Sequence, residues 1–148
     1  MSQLLSLRVS DDIALRLDRF IRRHGNGMTR NKAGILLLEE ALREQDFALV
    51  EFRDSPVGRQ PYMKNSGLAV WEVILIAHDH DLDAARTAAY FQRPVEWVNA
   101  ALNYYEAFRI EIDHAIEDND SLDYDALKRR LPGLRLTEIP GDTAESLR

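Results

Sequence analysis

Leu4-Leu5-Ser6-Leu7-Arg8-Val9-Ser10-Asp11-Asp12-Ile13 is the stretch whose reading decides the fold. Its first residues alternate, with Leu5, Leu7 and Val9 on one face and Leu4, Ser6 and Arg8 on the other, which is the period of a strand. At Ser10 the period changes. Serine is a good helix N-cap, and Asp11 and Asp12 follow in the first turn, where the helix dipole favours negative charge. Ile13, Leu17, Phe20 and Ile21 then share one helical face up to about His24. Gly25-Asn26-Gly27 stops that helix, because glycine accepts a positive φ. Thr29 caps a second helix to about Gln45, with Ala33, Leu36, Leu37, Ala41 and Leu42 as its expected buried set. A lone strand cannot pair its own backbone donors and acceptors, and no second strand follows within the next 35 residues. The sequence therefore predicts an antiparallel partner from a second copy: a two-stranded ribbon backed by four helices, with Ser6 and Arg8 of each chain on its outer face.

The residues Leu5-Ser6-Leu7-Arg8-Val9-Ser10-Asp11-Asp12-Ile13, then Leu17 to Phe20, Gly27 to Ala33 and Leu37 to Leu42, resemble the ribbon-helix-helix repressors of the Arc/MetJ/CopG group. The likeness covers about the first third of the chain. It implies a ribbon lying in the major groove of double-stranded operator DNA. Leu4, Ser6 and Arg8 take the base-contacting positions. Arginine matches the two acceptors of guanine, and serine bonds several bases. Leucine departs from the polar residue expected at the third position and leaves apolar contact with a thymine methyl. Thr29, Arg30 and Asn31 open the second helix, where the resemblance places a phosphate and free backbone N–H groups form an anion site. The plainer alternatives are a solvated strand face and an ordinary N-cap.

Charge is unevenly placed along the chain. Residues 1–32 hold seven Lys/Arg against three Asp, so of a net −6 the remainder carries −10. A basic end suits phosphate, while the acidic bulk faces something else. The absence of cysteine excludes a disulfide framework and thiolate metal sites. Neither a basic-then-apolar leader nor an apolar run of about 20 residues is present, so no membrane partner is expected and a cytoplasmic location fits.

Beyond the first unit, Phe47 to Phe52 has strand propensity, Asp54-Ser55-Pro56-Val57-Gly58 signals a turn, and Arg59 to Met63 returns as a second arm. Leu68 to Ala77 reads as a buried helix. Asp81 or Asp83 caps a short helix ending near Phe91, and Pro94 suits a first helical position. Val95, Val98, Ala101, Leu102 and Tyr105 mark a further helix, and Phe108 to Ile116 a last one. Gly58-Arg59, Val70-Trp71-Glu72-Val73, Ala84-Ala85, Val98, Ala101-Leu102 and Tyr104-Tyr105 resemble a small three-helix domain of unknown function, helix-turn-helix in shape, encoded beside PIN-like nuclease toxins. Met63-Lys64-Asn65-Ser66-Gly67 replaces that family's glycine-rich entry.

The expected organisation is mainly α. Residues 1–46 form a DNA-binding and dimerising ribbon-helix-helix unit, 47–118 a hairpin with a helical domain, and 119–148 a partly disordered, partner-binding tail. Together the resemblances imply the antitoxin of a type II toxin–antitoxin pair: a homodimeric repressor that autoregulates its operon and binds a protein toxin of the PIN-like nuclease class. Arg129, Arg130 and Arg135 are the tail residues suited to reach an acidic nuclease site through bidentate contacts. The alternative is a ribbon-helix-helix regulator whose C-terminal domain senses a ligand, which asks for an apolar pocket near Trp71 and Tyr104.

No catalytic residue or cofactor is expected. His78 and His80 lie two apart and so point to different sides of a helix, and His24 and His114 have no evident partners. Glu111, Asp113, Glu117, Asp118 and Asp120 read as a solvated face, without a base or nucleophile beside them. The dense aromatics Trp71, Tyr90, Phe91, Trp97, Tyr104, Tyr105 and Phe108 read mostly as core, with one or two left exposed.

Overall fold

A computed structural model of one chain describes residues 1–25 and 27–120. Its elements run α1 (Asp11–His24), α2 (Arg30–Asp46), β1 (Val50–Ser55), β2 (Gly58–Met63), α3 (Val70–Asp79), α4 (Ala84–Phe91), α5 (Val95–Ala107) and α6 (Arg109–Asp120). The fold is mainly helical with one small antiparallel sheet.

The first two helices begin where their caps dictate. The Ser10 hydroxyl accepts from the Ile13 backbone N–H at 3.3 Å, and Thr29 Oγ1 accepts from that of Lys32 at 3.1 Å. Gly25 closes α1 at φ +103°. Residues 4–10, expected as a strand, join no ladder among the described residues and are exposed throughout. The physical reason is that a strand exists through its neighbour, and a single chain offers this segment none.

The expected buried faces are corrected in the same direction. No residue of α1 is buried, and Ile13 is 49% exposed, while Leu17, Phe20 and Ile21 are half-covered. In α2, Ala33 is fully buried and Leu36 and Leu37 half-buried, but Ala41 and Leu42 are exposed. α1 and α2 pack on each other, which covers only one side of each.

β1 and β2 pair in the register Val50↔Met63 to Ser55↔Gly58, around the two-residue connection Pro56-Val57. Ser55 Oγ donates to the Gly58 carbonyl at 2.7 Å, and Gly58 itself sits at φ +114°. The first strand starts later than Phe47. Phe47 caps the end of α2, and Leu49 turns at φ +63° before the ladder begins. The Phe47 ring instead enters the core, edge-on to Tyr104 at 5.2 Å and to Phe108 at 5.6 Å.

The three helices after the hairpin follow their local signals. Glu72 reaches back to accept from the Ala69 N–H at 2.7 Å and opens α3. Asp83 caps α4 by accepting from Arg86 N–H at 2.8 Å. Gln92 ends α4 in the left-handed region at φ +53°, and Pro94 stands just before α5, one position earlier than expected. α3, α4 and α5 pack on one another, with α6 laid against α3 and α5. Their shared core is Val50, Met63, Val70, Val73, Ile74, Val98, Ala101, Tyr104 and Ile112, each at most 1% exposed. Among the described residues no helix is long and apolar enough to cross a membrane.

Truncating Ile74 to alanine empties the centre of this core, so unfolding in urea should show a loss of about 2–5 kcal/mol. A loss within about 0.5 kcal/mol, the range of surface substitutions, would contradict the packing described.

Candidate nucleic-acid interface

The site is built from the residues preceding α1 and from the turn into α2. Leu4 is 95% exposed, and Ser6 and Arg8 are exposed beside it in the chain. Leu5, Leu7 and Val9, the opposite set of the alternation, are also open, at 66%, 70% and 51%. Among the described residues, nothing covers either side of this segment.

The α2 end of the site differs from its sequence reading in one respect. Arg30 is engaged: its Nε donates to Asp18 Oδ1 at 2.9 Å and its Nη2 to Oδ2 at 2.8 Å, a bidentate clamp from α2 to α1. The hydrogen bond from Arg30, aided by its charge and that of Arg22, holds the Asp18 carboxyl below the usual carboxylate range. The guanidinium nevertheless keeps a solvent-facing side, since the Arg30 side chain is 65% exposed. Thr29 is occupied as a cap, and Asn31 and Lys32 are exposed next to it. Arg16, Arg19, Arg22 and Arg23 stand exposed along α1, so all seven cations of residues 1–32 reach solvent. The pair Arg16–Asp12, 3.8 Å apart and more than 70% exposed on both sides, contributes little.

Two buried charge networks tie this basic unit to the rest of the molecule. Glu40 of α2 is only 6% exposed and takes a bidentate contact from Arg59 of β2, with Nε at 3.0 Å and Nη2 at 2.9 Å. Arg59 also donates to Asp54 at 3.2 Å, and Asp54 in turn meets His24 Nε2 at 2.5 Å. Farther along α2, Arg43 donates to Tyr104 Oη and Glu111 Oε2, each at 2.8 Å, and to Glu39 Oε1 at 2.6 Å. Its guanidinium carbon lies 3.8 Å from the Phe108 ring centroid.

Neither network was visible in the sequence. Glu40 drew no attention there and His24 read as a histidine without partners, because their partners lie 19 and 30 positions away. Glu111 and Asp113, read as a solvated face, also hold partners: Arg43 for the first, and for the second the Tyr105 hydroxyl, donating at 2.7 Å. His78 and His80 do face different neighbours, Tyr105 and Tyr90. Trp97, Tyr104 and Tyr105 are core, whereas Tyr90 is 59% exposed. The tail candidates Arg129, Arg130 and Arg135 lie outside the described residues.

Arg59→Ala leaves the Glu40 carboxylate buried without its cation, so denaturant unfolding should show a loss of about 3 kcal/mol. Glu40→Gln with Arg59 intact should cost less, because Arg59 keeps Asp54 as a partner and is more exposed than Glu40. No protein-family model matches the chain, and neither a curated protein nor a solved structure matches it.

Proposed function

We propose that this chain is a homodimeric, ribbon-helix-helix transcriptional repressor that acts as the antitoxin of a toxin–antitoxin pair. The observation that carries the reading is a set of exposed apolar side chains on a unit whose first 32 residues carry seven Lys/Arg against three Asp. Leu5, Leu7, Val9, Ile13, Ile35, Leu38 and Leu42 are each 44–70% exposed in one copy. Apolar residues at strand spacing before α1, and at Ile35, Leu38 and Leu42 along one side of α2, are what a second copy covers when two chains pair their opening segments. Pairing also satisfies the backbone of residues 4–9, which one chain leaves open.

On such a dimer Leu4, Ser6 and Arg8 of both chains stand together on one face and read base edges in the major groove. The backbone N–H groups and side chains at Thr29, Arg30 and Asn31 hold flanking phosphates, and the arginines of α1 add to the positive field. The Asp18 clamp fits this role, because it fixes the Arg30 guanidinium while leaving one side of it to solvent. The helical part, whose surroundings carry the acidic excess, serves as the protein-binding half toward a nuclease toxin.

Sedimentation at micromolar concentration should give a dimer, and Leu7→Glu should give a monomer, since the charge would fall in the covered face. A wild-type monomer overturns the reading. In gel-shift titrations with the DNA upstream of its own reading frame, Arg8→Ala should weaken binding by about 1–3 kcal/mol for each lost bidentate contact. Affinity should also fall steeply with salt. Binding by Arg8→Ala equal to wild type removes the base-reading role. The toxin assignment is tested by co-expressing the adjacent reading frame and asking whether its product purifies with this chain.

A further inference from the structure

His24 occupies the joint between the basic unit and the hairpin, and its ring is contacted in a way that depends on its protonation. Nδ1 lies 2.8 Å from the Phe20 carbonyl oxygen, and Nε2 lies 2.5 Å from Asp54 Oδ1. Both neighbours are acceptors. A neutral imidazole has one N–H and one bare nitrogen, so it makes only one of these bonds; the imidazolium makes both.

Of the other surroundings of the ring, the helix end and Phe20 favour the cation, while burial and Arg59 oppose it. His24 is the last residue of α1, where the dipole favours a cation, and its ring stacks on Phe20 with centroids 4.1 Å apart. Its side chain is only 13% exposed. The charged groups facing it are Asp54 from β1, Arg59 from β2 and, behind Arg59, Glu40 from α2. Arg59 opposes the imidazolium, but its own charge is already met by Glu40 and Asp54.

We infer that His24 and Asp54 form a proton-operated clasp, closed when the imidazole is charged, that fastens the end of α1 to the hairpin. The inference stands independently of DNA binding. When the ring is neutral, one bare nitrogen faces an oxygen at contact distance, and either the Phe20 bond or the Asp54 bond must open. Asp54 stays ionised throughout this change, because hydrogen bonds from His24 and then Arg59 hold its carboxyl below the usual range.

The test is equilibrium unfolding of the full chain at fixed concentration, from about pH 5.5 to about pH 8.5, for wild type and His24→Gln. His78, His80 and His114 are common to both proteins and cancel. The stability of wild type relative to His24→Gln should be lower at the high end of that window than at the low end, because a neutral ring keeps only one of its two bonds. Asp54→Asn should flatten the same difference. Parallel curves for wild type and His24→Gln overturn the inference. Should His24→Gln not fold, nuclear magnetic resonance of wild type decides. The Gly25 and Asp54 amide signals should move with the His24 ring as it titrates, and amides that stay in place overturn the clasp.

Discussion

The seam between α2 and the C-terminal helices depends on keeping one cation satisfied. Arg43 carries a guanidinium to a position where its side chain is only 17% exposed, and burial alone disfavours its charge. Hydrogen bonds to Glu111, Glu39 and Tyr104 outweigh that cost and hold the guanidinium firmly ionised. The same burial, with the Glu111 carboxylate nearby, pushes the Tyr104 hydroxyl well above the ordinary tyrosine range, so it stays protonated. Arg43 Nε has no hydrogen-bond partner among the described residues, and the rings of Phe108 and Phe52 lie against the guanidinium. A charge so placed contributes specificity of docking: α2 slides along its partners only by stranding it.

Arg43 anchors α2 through charge, because α2 has little buried apolar surface: Ala33 is fully buried, whereas Ile35, Leu38 and Leu42 are exposed. The contrast between the two parts of the chain follows. The helices after the hairpin close a core of their own around Val73, Ile74, Val98 and Tyr104. The first two helices contribute one fully buried apolar residue, Ala33, and leave the remainder of their apolar stripe open or half-covered. The networks of Glu40, Arg59, Asp54 and His24 hold this poorly cored unit on the well-cored one through charges rather than through apolar area.

Local chemistry made much of this legible before any coordinates. Ser10, Thr29 and Asp83 start helices because each offers an oxygen to an N–H three residues on, and a cap is a short-range interaction. The hairpin was readable from Pro56 to Gly58 for the same reason, as was the break at Gln92-Arg93-Pro94. Alternation placed Ser6 and Arg8 on one face of the opening segment, and the resemblance gave them, with Leu4, their base-contacting role; all of residues 1–10 are exposed. Periodicity did not decide burial: Ile13, Ala41 and Leu42 lie on apolar helical faces, yet they are exposed among the described residues of one copy. Phe47 has strand propensity but serves as a core ring, since Tyr104 and Phe108 offer it a better environment than a ladder would.

The sequence by itself determined where helices begin and end, where the chain reverses, and which segment carries the basic charge, because caps, glycines, prolines and residue counts act over a few positions. Only the tertiary structure decided that Glu40 is buried, that Arg30 is clamped by Asp18, that His24 finds Asp54, and that Arg43 sits over Phe108. Those outcomes join residues 12 to 65 positions apart, and a charged side chain carries no local mark of the partner that will permit its burial.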